Sequence, residues 1–111
     1  MEEIKLKLIL KTLEDKKAEN IEVFDVTSRS PFFTYFVLAT SKNARHMHAL
    51  GDYIIEALEK SSISIKGIDG KESTSWLVID CYDILVHIFD EKERIRVDLD
   101  TLLRVENEKE D

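Results

Sequence analysis

Two apolar segments separated by a short polar break, at residues 75–81 and 83–89, constrain the fold more than any other part of this sequence. They read SWLVIDC and DILVHIF and are rich in the β-branched and aromatic side chains that favour strands. Since the break leaves room only for a tight turn, we expect the two strands to pair as an antiparallel hairpin. A hairpin this apolar must be buried over most of its surface, so each polar side chain within it needs a physical reason.

The alternation of side chains gives this hairpin two unlike faces. With the turn at residues 82–83, Val78 pairs with His87, and the neighbouring pairs follow. One face is wholly apolar and belongs against helices; it comprises Leu77, Ile79, Val86 and Ile88. The other, called the Trp76 face from here on, comprises Trp76, Val78, Asp80, Leu85, His87 and Phe89. Its composition fits a protein interface with an apolar anchor, and it fits equally a core face around a hydrogen-bonded buried histidine.

The remaining segments predict an α/β layer fold. Helices are predicted at 2–18 and 44–61, strands at 21–26, 35–40, 63–70, 75–81 and 83–89, and a short turn or helix at 91–103. The helix between the second and third strands suits a crossover between parallel strands, whereas the hairpin is antiparallel. The sequence therefore predicts a mixed five-stranded sheet flanked by helices.

The chain reads as a single domain over residues 1–104, followed by an acidic tail at 105–111 that we expect to be flexible. The first helix has a basic side that is expected to face solvent; it carries Lys5, Lys7, Lys11 and Lys16. In the second helix, Gly51 lies on the apolar stripe, where the missing side chain allows close packing.

An excess of acidic over basic residues limits the class of partner. The chain has 23 acidic and 16 basic residues, which gives a net charge of −7. This argues against direct contact with nucleic-acid backbones, which are bound by clustered lysine and arginine. The acidity suits a basic partner protein, and solubility alone explains it as well.

Cysteine content and hydropathy indicate a cytoplasmic protein. Cys81 is the only cysteine, so no disulfide forms within the chain. The N-terminus is charged from its second residue, unlike a secretion or transit signal. No apolar run approaches the roughly 18 residues that a membrane span needs, so we expect no contact with membranes.

No constellation of residues in the sequence indicates catalysis, a metal site or a cofactor. The junction ATSKN before the second helix lacks the glycines of a phosphate loop, and ordinary helix capping explains it better. His46 and His48 point to different sides of a helix and cannot share a metal ion. Asp25, Asp80 and Asp83 do not form the paired carboxylates that nucleotidyl transfer needs. A nucleotide-binding or nucleotidyl-transferring enzyme is therefore only an alternative.

Several short motifs, in a fixed order, resemble the ribosomal silencing factor family, also called Iojap-like. The resemblance covers residues 4–103. Its motifs are YFVLAT at 35–40, Arg45-His46, Gly67-Ile68-Asp69-Gly70, the run from Trp76 to Asp80, the run from Asp83 to Phe89, Arg96 and Asp98-Leu99. Each motif is weak by itself, whereas the ordered set with its spacing is specific.

The resemblance implies a fold related to the nucleotidyltransferases but without catalysis. Members of the family are small, often homodimeric proteins that bind large-subunit ribosomal protein fourteen where the small subunit docks. A chain of this kind is expected to block subunit joining and so repress translation when nutrients are scarce. Relatives in organelles act in assembly of the large subunit, so a dimeric adaptor in ribosome assembly is a further alternative.

The motif positions and the residue pattern together assign candidate contact residues. We expect partner contact from Asp69, Glu72, Trp76, Asp80 and His87. Arg45 and His46 match the Arg-His pair of the family and are expected to stabilise the strand-to-helix joint or a dimer contact.

The sequence departs from the family pattern at three sites. Phe33-Thr34 replaces an Ala-Asp pair, and Leu103 stands where a tryptophan is usual. Tyr82 replaces the glycine of the hairpin turn. A tight turn that requires positive φ strains a tyrosine, so the turn type and the strand register stay open at this point.

Overall fold

The computed structural model describes the backbone of residues 2–110 and the side chains of residues 3–104. In chain order its elements are α1 (Glu2–Asp15), β1 (Glu19–Asp25), β2 (Tyr35–Ser41), α2 (Ala44–Lys60), β3 (Gly67–Asp69), β4 (Trp76–Asp80), β5 (Ile84–Asp90), α3 (Glu91–Val97) and α4 (Leu99–Glu110). The predicted α/β fold with a mixed five-stranded sheet is confirmed. The predicted flexible tail lies outside the described side chains, so the boundary after residue 104 stays a prediction.

The sheet has the strand order β1-β2-β5-β4-β3, with β5 in the middle. β2 and β5 are parallel, and every other neighbouring pair is antiparallel. β3 therefore runs in the same direction as β2, and α2 forms the crossover between them, as predicted. Both edges are irregular or short, since β1 has a register shift between Glu19 and Glu22 and β3 has only 3 residues.

One side of the sheet is covered by α1 and α2. The apolar hairpin face predicted for this role is buried there: Leu77, Ile79, Val86 and Ile88. These side chains pack with the apolar stripes of both helices in one cluster. Burying a side chain of this size stabilises the fold by about 1.5–3 kcal/mol. Gly51 brings α2 close to β4, because a Cβ at this position would lie 2.7 Å from Leu77 Cδ2.

The other side of the sheet is covered only in part. Val97, Leu99 and Leu103 of α3 and α4 pack over a second cluster that draws on β1, β2 and β5. The segment 91–103, predicted as a short turn or helix, thus forms one helix and begins a second. The two helices are separated by Asp98, whose φ of 50° is left-handed.

Arg94 fastens this pair of helices to the sheet. Its Nε and Nη2 donate to the two carboxylate oxygens of Asp100 at 3.2 and 2.8 Å, and its Nη1 donates to Thr40 Oγ1 at 2.9 Å. Hydrogen bonding to Arg94 holds the pKa of Asp100 below its usual range. Because both side chains are largely buried, loss of either partner would leave a charge without compensation.

Two predicted elements are shorter than expected. The first helix ends at Asp15 rather than at residue 18, because Lys17 takes a positive φ of 69°. The third strand covers only Gly67–Asp69 rather than 63–70. Ile63 and Ile65 instead pack into the cluster beneath the helices, so their alternation reflects burial and not strand pairing.

The hairpin has the register predicted from its alternation. Val78 pairs with His87, and Cys81 N–H donates to the Ile84 carbonyl at 2.9 Å. Tyr82 accepts the positive φ that the tight turn demands, at 72°. The turn is therefore tight in spite of the missing glycine, and its backbone is strained.

Lys5 of α1 braces this turn from outside the hairpin. Its Nζ donates to the Cys81 carbonyl at 2.8 Å and lies 2.6 Å from Asp83 Oδ1. The prediction that Lys5 faces solvent is wrong, since its side chain is only 11% exposed. The reason is tertiary: a carboxylate in the turn faces the first turns of α1, and no local pattern in the helix reveals it.

We predict that Lys5→Met lowers the free energy of unfolding by about 1–3 kcal/mol, because it removes a largely buried ion pair and a hydrogen bond to the turn. Urea denaturation followed by circular dichroism measures the change. Lys7→Met, on the exposed side of the same helix, is the matched control and should stay within about 0.5 kcal/mol of the unaltered chain. Equal effects of the two substitutions would contradict the role given to Lys5.

Candidate protein-binding face

The loop between β3 and β4 sets the position of Trp76. Ser73 Oγ accepts hydrogen bonds from the backbone N–H groups of Ser75 and Trp76, both at 3.1 Å. The Ser73 carbonyl accepts from His48 Nε2 at 2.7 Å, which ties the loop to α2. Gly70 has a φ of 90°, and a Cβ there would lie 2.4 Å from the Trp76 carbonyl oxygen. Only glycine fits this backbone path.

The indole of Trp76 is held by a ring cluster beneath it. Its Nε1–H donates to His87 Nδ1 at 3.2 Å, and its ring centroid lies 4.9 Å from that of Phe89. The one polar group of the indole is therefore already bonded inside the protein. The rest of the half-buried ring is apolar surface that a partner can cover.

His87 lies below the surface and is not available for direct contact. It is 6% exposed, and its ring lies 5.2 Å from that of Phe36 and 5.9 Å from that of Phe89. Because Nδ1 accepts from Trp76, the proton sits on Nε2, which is buried and has no hydrogen-bond partner among the described residues. Burial lowers the pKa of His87 from 6.5 to about 4, so the ring is neutral near pH 7.

Beyond Trp76 the sheet face is open. Two shallow depressions of about 280 and 300 Å³ lie side by side and share Asp69 and Val78. Val78 and Leu85 give the pair an apolar lining. Charged side chains also line them: Asp69, Asp80, Glu93 and Lys66. The surface is an apolar strip with a mainly acidic border, which is the composition of a protein interface with a polar rim.

The five predicted contact residues differ in their exposure to solvent. Asp69 and Glu72 are exposed, Trp76 and Asp80 are half-buried, and His87 is buried. Asp69, Trp76 and Asp80 line the open part of the face, whereas Glu72 lies in the adjoining loop, at a separate depression. The two readings apply to different parts of the face: the part around His87 is core, and the part around Val78 is open, where partner contact stays a prediction.

Val78, Leu85 and Lys66 belong to this surface but were not among the predicted contact residues. The alternation already placed Val78 and Leu85 on the Trp76 face, so their position was predictable. The exposure of Val78 and Leu85 was not predictable, because it depends on how much of the sheet α3 and α4 cover. No pattern in the sequence indicated Lys66. It lies before β3, and it lines the depression beside Val78 only because β3 pairs with β4.

Arg45 and His46 lie at the joint between β2 and α2. His46 Nδ1 accepts from the Lys42 N–H at 2.9 Å, and Nε2 donates to the Lys16 carbonyl at 2.8 Å. The helix itself is capped by Asn43, whose Oδ1 accepts from the His46 N–H at 2.8 Å. His46 thus joins three segments, while Arg45 is exposed; a dimer contact by either stays a prediction.

The carboxylates at the hairpin turn make contacts that stabilise the turn. Asp80 Oδ1 accepts from the Tyr82 N–H at 2.9 Å, and Asp83 faces Lys5. Burial raises the pKa of the Cys81 thiol to about 12, which keeps it protonated and poorly nucleophilic. Within the described residues, no group of three or more His, Cys, Asp or Glu side chains is placed to hold a metal ion. In the same part of the chain, no helix is long and apolar enough to span a bilayer.

Comparison with known proteins identifies a family from the sequence and a matching fold from the structure. The family described as ribosomal silencing factor during starvation matches residues 1–111. Ribosomal silencing factors of Chromobacterium violaceum and Halalkalibacterium halodurans are 29% and 27% identical over 86% and 87% of this chain, and 79% and 83% of their own. A crystal structure of a C. violaceum protein superposes with a TM-score of 0.87 at 28% identity, covering 91% of this chain and 84% of the other.

We predict that Gly70→Ala lowers the free energy of unfolding by about 1–3 kcal/mol and changes the emission of Trp76, because the added Cβ pushes against the Trp76 carbonyl. Gly67→Ala is the control, since a Cβ there meets nothing within 4 Å. Tryptophan fluorescence and urea denaturation measure both effects. Unchanged emission and stability in the Gly70 variant would show that the loop does not depend on this glycine.

We predict that stability falls as the pH drops from 6.5 towards 4. The unfolded chain binds a proton at His87 in this range and the folded chain does not, so acid favours unfolding. Between pH 7 and pH 5 the loss is about 2 kcal/mol, measured by urea denaturation at each pH. His87→Gln removes the titrating group and should remove most of the difference; an equal loss in that variant would assign the pH dependence elsewhere.

Proposed function

This chain belongs to the ribosomal silencing factor family, and we propose that it represses translation by covering a surface of the large ribosomal subunit with its Trp76 face. The family makes it a ribosome-associated regulator of translation. The partner we propose is large-subunit ribosomal protein fourteen, which the family resemblance implies. The observation that carries the proposal is the open, apolar end of the Trp76 face on an otherwise covered sheet.

The composition of this face supports a protein partner. An apolar strip made by Trp76, Val78 and Leu85 supplies area whose removal from water drives association. A half-buried tryptophan with its N–H already bonded needs no polar partner, so covering it costs little desolvation. These are the features of an anchor residue at the centre of an interface.

The charges around the strip support a basic partner. Three carboxylates and one ammonium line the two depressions, on a chain whose net charge is −7. A field of this sign speeds encounter with a basic protein surface and repels the phosphates of ribosomal RNA. Docking is therefore expected to be directed to ribosomal protein rather than to RNA.

The size of the bound domain would be sufficient to repress translation. The domain measures 37 × 33 × 22 Å, so its thinnest dimension is 22 Å. Subunits that touch directly cannot join across a body of this thickness, and electrostatic attraction across such a gap is screened within about 8 Å at physiological salt. No catalytic step is required, in keeping with a family described as a ribosomal silencing factor.

The homodimer that the resemblance implies remains part of the proposal for the free protein. A second copy could cover the apolar strip when no ribosome is bound, and binding would then compete with self-association.

We predict that Asp69→Lys weakens binding to purified large subunits by about tenfold, since it reverses a charge at the edge of the strip. Asp52→Lys makes the same charge change at an exposed position of α2, on the helix-covered side, and should leave binding within about twofold. Sedimentation with large subunits measures both affinities.

A subunit-joining assay with the same three proteins tests the mechanism. The unaltered chain and the Asp52 variant should lower the yield of joined ribosomes, and the Asp69 variant should do so only at higher concentration. Binding without any effect on joining would rule out steric repression, and absence of binding by the unaltered chain would rule out the proposed partner.

A further inference from the structure

A larger depression beside the hairpin turn displays two aromatic rings that the fold does not use. It has a volume of about 820 Å³ and lies between the loop before β2, the loop after α2 and the turn. Phe32 and Tyr82 line it and are 76% and 53% exposed. The volume is within the range of ligand sites, and large rings this exposed are characteristic of interaction surfaces.

The backbone of Tyr82 is strained. Its φ of 72° lies in the left-handed region, which suits glycine and strains a tyrosine. Strain of this kind persists where the surroundings impose it and where the side chain has a use. Lys5 and the strand ladder impose the conformation, and the exposed ring at the depression indicates the use.

Two carboxylates and two ammonium groups line the depression, so their formal charges balance, and the aromatic rings decide which ligand it favours. Asp80 and Asp83 line it together with Lys5 and Lys66. Lys5 is paired with Asp83, whereas Asp80 uses Oδ1 for the Tyr82 N–H, and its Oδ2 has no partner in the described part of the chain. A guanidinium group fits both elements of this site, because it stacks on aromatic faces and donates to carboxylates. A phosphate could pair with the Lys66 ammonium, but it would gain nothing from the ring faces, which carry partial negative charge.

We propose that this depression binds an arginine side chain of the protein that covers the Trp76 face. Asp80 and Lys66 line both this depression and the groove beside Val78, so one partner surface can occupy the two together. The identity of the partner rests on the proposed function. The arginine specificity rests on Phe32, Tyr82 and Asp80.

Titration of the isotope-labelled full chain with N-acetyl-arginine amide, followed by NMR, tests the site. We expect shifts confined to amides of residues 32–33, 62–66 and 80–83. Tyr82→Gly and Phe32→Ser should each weaken binding by about threefold to fivefold, the loss of one exposed cation–π contact. Tyr82→Gly also relieves the strained φ, so it should fold at least as stably as the unaltered chain, and its weaker binding cannot be ascribed to unfolding.

N-acetyl-citrulline amide, equal in length but uncharged, and AMP, which carries a base and a phosphate, are the controls. Neither should shift these amides. No shift with the arginine compound, equal shifts with the citrulline compound, stronger binding of AMP, or unchanged affinity in both ring variants would each overturn the site. These outcomes are independent of the sedimentation of the unaltered chain with large subunits, which tests the proposed function by itself.

Discussion

The central position of β5 is the constraint on which the rest of the structure depends. The strand has a neighbour on each side, helices α1 and α2 below it, and a ring cluster above it. A side chain anywhere along it except near the ends must therefore be buried, whatever its polarity. His87 is such a side chain, and its neutral ring becomes the acceptor that orients Trp76. One strand thus connects the stability of the core with the geometry of the surface.

Much of the fold follows from periodicity in the sequence. Alternation narrowed the register of β4 on β5, because a slip by one residue would separate Leu77 and Ile79 from the face of Val86 and Ile88. The tight turn at Tyr82 then selects the pairing that is found. The crossover by α2 was predictable because two strands joined by a long helix tend to run in parallel. Periodicity could not predict the side-chain contacts between segments that are distant in the sequence. Lys5 with Asp83 and Arg94 with Thr40 join segments more than 50 residues apart, and neither pair has a local pattern.

The sequence predicted which side chains share one side of the hairpin, but it did not predict which of them are exposed. Alternation assigned Trp76, Asp80 and His87 to one side of the hairpin, and that assignment is correct. How far α3 and α4 extend over that side depends on the left-handed residue Asp98 and on the clamp of Arg94, which are tertiary features. They divide the face into a covered part on β5, where His87 and Phe89 lie, and an exposed part on β4 around Val78. A face that carries both a buried polar ring and an open apolar strip looks ambiguous in sequence because one part of it is core and another part is exposed.

The short β3 and the irregular β1 have a consequence for how the molecule behaves when it is concentrated. An apolar patch left open invites association, and an even strand at the margin of a sheet would convert such encounters into indefinite growth by backbone pairing. Here one margin offers only three residues and the other is broken in register and bears glutamates, so a neighbouring chain finds no template to extend. Contacts made through the open face can then form and dissociate without seeding fibres, so an apolar surface can stay exposed on this protein.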